Sequence, residues 1–277
     1  MPLSPANAGA MTRFIKMHGL GNDFLVLDAR VQPIGLTAAQ VRRLANRHTG
    51  IGFDQLILIE PSQTADVRLR FWNSDGGEVA ACGNGSRAAA ALLGGQQRIE
   101  TAGGPLDSSA TAGGAEVDMG APRWDWDAVP LAYPMDTGNL PLAWDGLEQP
   151  VALSVGNPHV VFFVPDAADV ALDRIGPIIE HDPVFPERVN VGIAQVVARD
   201  HLILRVWERG AGATLACGTG AVAAVAAAQR RGLVDANVRV SLPGGDLMIT
   251  RRDDGHLLLA GPAEIAYTGD VELERYA

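Results

Sequence analysis

A chain of 277 residues, 47% hydrophobic and 19% charged, has the composition of a globular protein of two domains or one large one, which excludes disorder and fibrous architecture. A formal net charge of -10 and a pI near 5.0 argue against nucleic-acid backbones and anionic membranes as partners, since both are bound through basic patches. No apolar run reaches the roughly 18 residues of a transmembrane helix, and Met1 to Ala10 lack the basic start and apolar stretch of a signal peptide, so the chain reads as cytoplasmic, with Met11 as an alternative start.

Arg13 to Met17 alternates as a strand does, and the turn His18-Gly19-Leu20-Gly21-Asn22 leads into a second apolar run from Phe24 to Leu27. Thr37 is placed to cap a helix over Ala38 to Asn46, and the stretch from Asp169 to Glu180 is its counterpart in the second half. Two strands follow, Asp54 to Ile59 and Asp66 to Trp72, and the turn Ser74-Asp75-Gly76-Gly77 leads towards Cys82. After Gly85 the run Ser86 to Leu93 is apolar nearly all round, as is Ala221 to Ala228, so each predicts a helix buried on most sides. Trp124 to Pro150, rich in Pro, Asp, Gly and Trp without periodicity, reads as a connecting segment.

The chain has only two cysteines, in the matching frames Ala81-Cys82-Gly83-Asn84-Gly85 and Ala216-Cys217-Gly218-Thr219-Gly220, at an offset of 135 residues. Gly21-Asn22 falls on Gly156-Asn157, Gln55 on Asn190, and Arg70 to Asn73 on Arg205 to Glu208 in the same register, which marks an internal duplication. Beyond the helices the offset becomes 141, as for Gly103-Gly104 and Gly244-Gly245, so the second copy holds an insertion. The expected fold is α+β (α/β), with two pseudo-symmetric lobes, each a mixed sheet wrapped around a central helix. Residues 1–128 with 266–277 are expected to form the lobe carrying Cys82, and 129–265 the lobe carrying Cys217.

A cysteine just before a glycine-rich helix start lies near unpaired backbone N–H groups and the positive end of the helix dipole, which stabilises a thiolate. The same amides bind a carboxylate, so Gly83-Asn84 and Gly218-Thr219 read as two nests for one anion. Donors aimed at a carboxylate stabilise the charge that develops when an adjacent α-proton is removed. Two thiols approaching one small molecule from opposite sides suit the inversion of a stereocentre.

The scattered histidines and the lack of a Cys-x-x-Cys pair offer no zinc site, and no metal is expected. Lys16 is the only lysine, and Gly83-Asn84-Gly85 lacks the third glycine of a dinucleotide-binding turn, so a route without any cofactor is expected. Asn22, Gln55, Asn73, Asn157 and Asn190 lie in duplicated motifs and supply amides for both ammonium and carboxylate. Arg209 offers a fork for a second carboxylate, Glu208 accepts from an ammonium, and His159 is placed to tune a thiol.

The segments Met17 to Phe24, Cys82 to Gly85, Gly156-Asn157-Pro158-His159, Arg188 to Val191 and Trp207 to Gly212 together resemble diaminopimelate epimerase over nearly the whole chain. The resemblance implies an isomerase that interconverts L,L- and meso-diaminopimelate without pyridoxal phosphate, in lysine and peptidoglycan precursor synthesis, as a cytoplasmic homodimer. It implies Cys82 and Cys217 as acid and base, with Gly83, Asn84, Gly218 and Thr219 holding the reacting carboxylate. Asn22, Asn73, Asn157, Asn190 and Arg209, with Gln55 and Glu208 alongside, would fix the substrate; His159 and Glu208 would tune the cysteines. Tyr267 to Ala277 would form a strand returning to the first lobe. Ala213 stands where many members have glutamate, and Ser86 and the N-terminal extension also depart from commoner forms. Two other readings compete: a cofactor-free racemase acting on proline, hydroxyproline or another amino acid, and a thiol redox switch or amino-acid binding protein.

Overall fold

The computed structural model describes residues 10–80 and 82–277; Ala81 and the extension before Ala10 lie outside the described residues. The chain divides into two compact units, one running to Ala115 and resuming at Ala263–Ala277, the other Glu116–Pro262.

In the first unit, β1 (Met11–Gly19) and β2 (Asn22–Asp28) form a hairpin in which Gly19 pairs with Asn22. Leu20 and Gly21 both have positive φ, 57° and 86°, the primed turn that matches strand twist. Helix α1 (Ala38–Ala45) starts in a capping box, with Gln40 N donating to Thr37 Oγ1 at 3.2 Å and Thr37 N donating back to Gln40 Oε1 at 2.9 Å. Then come β3 (Gln55–Glu60), β4 (Val67–Asn73), β5 (Glu78–Val79), α2 (Gly83–Leu93), β6 (Gln96–Glu100) and β7 (Leu106–Thr111); β8 (Gly114–Asp118) begins at the end of this stretch and runs on past Ala115. The C-terminal strand, Glu264–Glu272, pairs antiparallel with β1 and so begins before the expected Tyr267; a 3-10 turn over Leu273–Tyr276 ends it.

The second unit repeats this order. The hairpin β9 (Ala143–Trp144) and β10 (Leu147–Glu148) is followed by β11 (Val151–Ser154), β12 (Pro158–Phe163), α3 (Leu172–Glu180), β13 (Asn190–Ala198), β14 (His201–Glu208), β15 (Gly212–Thr214), α4 (Gly218–Arg230), β16 (Asn237–Leu242), β17 (Gly245–Arg251) and β18 (Leu257–Pro262). Pairing runs antiparallel for β1–β2, parallel for β2–β3, antiparallel for β3–β4 and β4–β5, parallel for β4–β6 and antiparallel for β6–β7. The sequence β11–β12, β12–β13, β13–β14, β14–β15, β14–β16, β16–β17 repeats that succession without change. Registers coincide too: Phe24 pairs with Gln55 in one unit and His159 with Asn190 in the other.

Alternation along the strands sends one face to the central helix and the other to the outer one. Phe24, Val26, Ile57, Ile59, Leu69 and Phe71 pack with Ala88, Ala89 and Ala90 of α2, whereas Leu25, Leu27, Leu56 and Leu58 pack with Val41 and Leu44 of α1. Two departures from the sequence reading stand out. Trp124 to Pro150 is no free connector: Val129, Leu131, Leu140 and Leu147 are buried in the core that α3 covers. Their irregular spacing hides this from any periodicity. The expected boundary between residues 128 and 129 accordingly lies inside the second unit, because Met119 and Gly120 already bond to Leu257. The other expected boundary, between 265 and 266, falls inside the first unit, which resumes at Ala263.

Candidate active site

Both central helices begin earlier than the apolar runs suggest, at Gly83 and Gly218, and each is capped by its cysteine. Gly85 N donates to Cys82 Sγ at 3.2 Å and Gly220 N to Cys217 Sγ at 3.3 Å, so each sulfur occupies the position a serine or aspartate cap oxygen usually fills. The first intrahelical bonds run from Ser86 N to Cys82 O (2.8 Å) and from Ala221 N to Cys217 O (3.0 Å). The N–H groups of Gly83, Asn84, Gly218 and Thr219 therefore lie ahead of the helical ladder, at the end where the dipole favours an anion. Position 85 is tight for anything larger than glycine: a Cβ there would lie 3.0 Å from Phe71 and 3.2 Å from Cys82 Sγ. At Gly220 it would lie 3.0 Å from Val206 and 3.2 Å from Cys217 Sγ.

In the first unit the amides form a chain around the thiol. Cys82 Sγ donates to Gln55 Oε1 at 2.9 Å, and Gln55 Nε2 to Asn73 Oδ1 at 3.1 Å, across the β3–β4 pairing that sets these two residues opposite each other. Asn84 Nδ2 donates to Asn22 Oδ1 at 3.3 Å. Asn22 is braced in turn by Asp54, which accepts from its Nδ2 at 3.1 Å and belongs to an ionic cluster with Arg47, Asp23 and the buried Lys16. Arg47 and Lys16, bonding against the cost of burial, hold Asp23 well below the usual carboxylate range.

The second unit repeats one of these contacts with different residue types. Asn157 Nδ2 donates to Thr219 Oγ1 at 3.3 Å, the counterpart of the Asn84–Asn22 bond. Thr219 Oγ1 lies 3.5 Å from Cys217 Sγ, and His159 Nε2 lies 3.0 Å from Asn157 Oδ1. Asn190 does not reach the thiol by any of these bonds; its Nδ2 donates to Pro158 O at 2.8 Å and its Oδ1 accepts from Arg209 N at 2.9 Å. Arg209 is exposed, with Nη1 donating to Glu187 O at 3.0 Å, and Glu208 Oε1 accepts from Thr214 Oγ1 at 2.5 Å.

Burial first, and then the neighbouring Glu208 carboxylate, push the Cys217 thiol well above its ordinary pKa, against the smaller opposing effects of Thr219 and Gly220 N–H. The lowered thiol pKa that a helix start implies is thus reversed at Cys217: desolvation and a like charge outweigh the dipole. His159, fully enclosed, is pushed down to about 3 by burial and then by Arg209, so it is neutral at physiological pH and acts on its surroundings through Asn157.

Two buried charges escaped the sequence reading. Arg87, the one charged residue of α2, is 0% exposed and donates from Nη1 to Asn84 Oδ1 at 3.0 Å. Glu180, at the end of α3, is 2% exposed and accepts from Trp207 Nε1 at 2.7 Å and Gly210 N at 2.9 Å, fixing both ends of the segment that carries Glu208 and Arg209. A lone arginine in an alanine-rich helix was a visible signal; nothing in the sequence around Glu180 set it apart.

The diaminopimelate epimerase family model matches residues 14–124 and 151–272. A protein of Rhizorhabdus wittichii named diaminopimelate epimerase is 56% identical over 265 residues, covering 95% of this chain and 97% of that one. One of Erythrobacter litoralis with the same name is also 56% identical over 265 residues, with 95% and 98% covered. Among solved structures, a hydroxyproline epimerase of Agrobacterium vitis shares the fold at a TM-score of 0.67 and 14% identity, covering 94% of this chain and 91% of that one. A phenazine biosynthesis protein of Bacillus anthracis does so at 0.67 and 17% identity, covering 95% and 99%.

Proposed function

The chain belongs to the diaminopimelate epimerase family, and we propose that it interconverts L,L- and meso-diaminopimelate by a two-thiol mechanism without a cofactor. The observation that carries this reading is the pair of cysteine-capped helix starts, built alike in both copies, each with backbone N–H groups ahead of its helical ladder.

One cysteine, as thiolate, takes the α-proton; the electron pair left on carbon spreads onto the substrate carboxylate, and the other cysteine, as thiol, delivers its proton to the opposite face. The roles exchange in the reverse direction. The amides of Gly83, Asn84, Gly218 and Thr219 stabilise the carboxylate oxygens as charge builds on them, so they bind the transition state more tightly than the substrate. Asn22, Asn73, Asn157, Asn190, Gln55, Glu208 and Arg209 hold the substrate, with the Arg209 guanidinium suited to its distal carboxylate. The tight segment between Trp207 and Gly210 keeps Glu208 and Arg209 in place for that task.

The protein acts in the cytoplasm, as a homodimer. Among the described residues no helix is long and apolar enough to cross a membrane. The test is turnover by Cys82→Ala and Cys217→Ala: each abolishes epimerisation while binding of substrate persists. Normal turnover by either variant contradicts the two-thiol assignment.

A further inference from the structure

The two copies differ in charge at two equivalent positions, and the differences oppose each other. Arg87 of α2 corresponds at the 135-residue offset to Val222 of α4, and Glu208 of β14 corresponds to Asn73 of β4. One copy therefore holds a cation on the helix that its cysteine caps, and the other an anion beside its cysteine.

Arg87 lies on the second turn of α2, fully enclosed, with Nη1 on the side chain of the nest residue Asn84. Its surroundings are otherwise almost without charge. The positions turned to α2 include Ile15 and Met17 of β1, Phe24 and Val26 of β2, Ile57 and Ile59 of β3, Leu69 and Phe71 of β4, and Ile99 of β6, all apolar, with the amides Gln55 and Asn73 near Cys82. By strand alternation and register the charged groups on this face are Asp28, exposed at the far end of β2 and paired with Arg30, Arg13 at the start of β1, and Asp270 and Glu272 opposite it on the C-terminal strand, Glu272 paired with Arg275. Lys16 and Asp23 sit on the opposite face and bond to each other; His18 lies near Glu264, Glu60 near Arg70 and Asp107 near Arg98. In such an apolar sheath a charge interacts strongly with its neighbours, because little solvent screens it. Burial lowers the Arg87 pKa only to about 10, and Cys82 opposes even that, so the guanidinium stays charged at neutral pH. Around Cys217 the titratable groups turned to α4 are Glu208, the neutral His159, and Arg251 at the far end of the helix beside Gln229 and Arg230.

We propose that Arg87 is a positioning residue for Cys82: its buried guanidinium orients Asn84 and favours the Cys82 thiolate, while Glu208 keeps the proton on Cys217. Of the two thiols Cys82 is thus the first to release its proton to solvent, giving up its bond to Gln55 Oε1, while Cys217 keeps its own. This inference rests on the two-thiol reading and adds to it which sulfur waits as the base.

The test is the pH dependence of alkylation of the reduced protein by iodoacetamide, followed separately at the two cysteine-containing peptides by mass spectrometry. The midpoint of each profile is used, since midpoints do not depend on how readily each sulfur is reached. In the wild type Cys82 should titrate at least about one pH unit below Cys217, a tenfold difference in thiolate fraction. Arg87→Gln should raise the Cys82 midpoint by about one unit or more and leave that of Cys217 in place, and Arg87→Lys should restore most of the shift. Glu208→Gln should lower the Cys217 midpoint. If Arg87→Gln does not fold, the wild-type order and Arg87→Lys still decide. Coincident midpoints in the wild type, a lower midpoint for Cys217, or an unmoved Cys82 midpoint in folded Arg87→Gln would each overturn the proposal. Failure of the two-thiol reading itself would appear elsewhere, as normal turnover by a Cys→Ala variant, whatever the alkylation order.

Discussion

His159 ties the folded state to pH in a way that can be worked through. Its imidazole is 1% exposed, bonded to Asn157, and held to about 3 from an ordinary 6.5. A depressed histidine contributes stability that is complete above its unfolded pKa and lost as pH falls through the window from 6.5 to about 3, because the unfolded chain binds a proton there and the folded one does not. At about 1.36 kcal/mol per pH unit, acidification from pH 7.5 to 5 removes about 2 kcal/mol through this group alone. With a urea m-value of about 3 kcal/mol/M, that lowers the midpoint by about 0.7 M. Other groups titrate over the same range, so the quantity to measure is a difference of differences: urea unfolding at pH 7.5 and pH 5, for the wild type and for His159→Gln. The variant loses about 2 kcal/mol less on acidification than the wild type. Equal losses in the two proteins would refute the reasoning, since a charge-free His159 in the fold and a protonated one in the unfolded chain must differ.

Other consequences are simpler. Gly176→Ala places a Cβ 2.6 Å from the Trp207 ring, which is anchored to Glu180, so the variant should lose about 1–3 kcal/mol by thermal denaturation and raise KM through Glu208 and Arg209. Glu180→Gln keeps the shape but puts an amide N–H against one of two donors, Trp207 Nε1 or Gly210 N; a loss of about 1–3 kcal/mol and weaker substrate binding in a titration are expected, and unchanged binding would separate that segment from the site. Thr37→Ala breaks the capping box of α1, on the far face of the first sheet from Cys82, and should cost about 1 kcal/mol in chemical denaturation with kcat intact.

Much of this was legible in the sequence, and the reasons differ from element to element. The duplication could be read because the chemistry-bearing residues keep one register, and the matching strand pairings follow from it. Both cysteines, the glycines behind them and Thr37 could be read because helix starts have a strict local grammar. The burial of Val129, Leu131, Leu140 and Leu147 could not, since residues that pack by filling irregular gaps leave no period. Nor could the raised pKa of Cys217: the dipole at its helix start favours a thiolate, and what overrides it is burial and Glu208 acting across the β14–β15 turn, a tertiary effect. His159 could be singled out by its motif, but only the fold shows that it is too enclosed to carry charge.

The most direct measurement is NMR of diaminopimelate incubated with the reduced protein in deuterated water. The account predicts deuterium at the α-carbon together with interconversion of the L,L and meso forms, both lost in Cys82→Ala and Cys217→Ala. No α-proton exchange by the reduced wild-type protein would contradict it and turn attention to other amino acids as substrates.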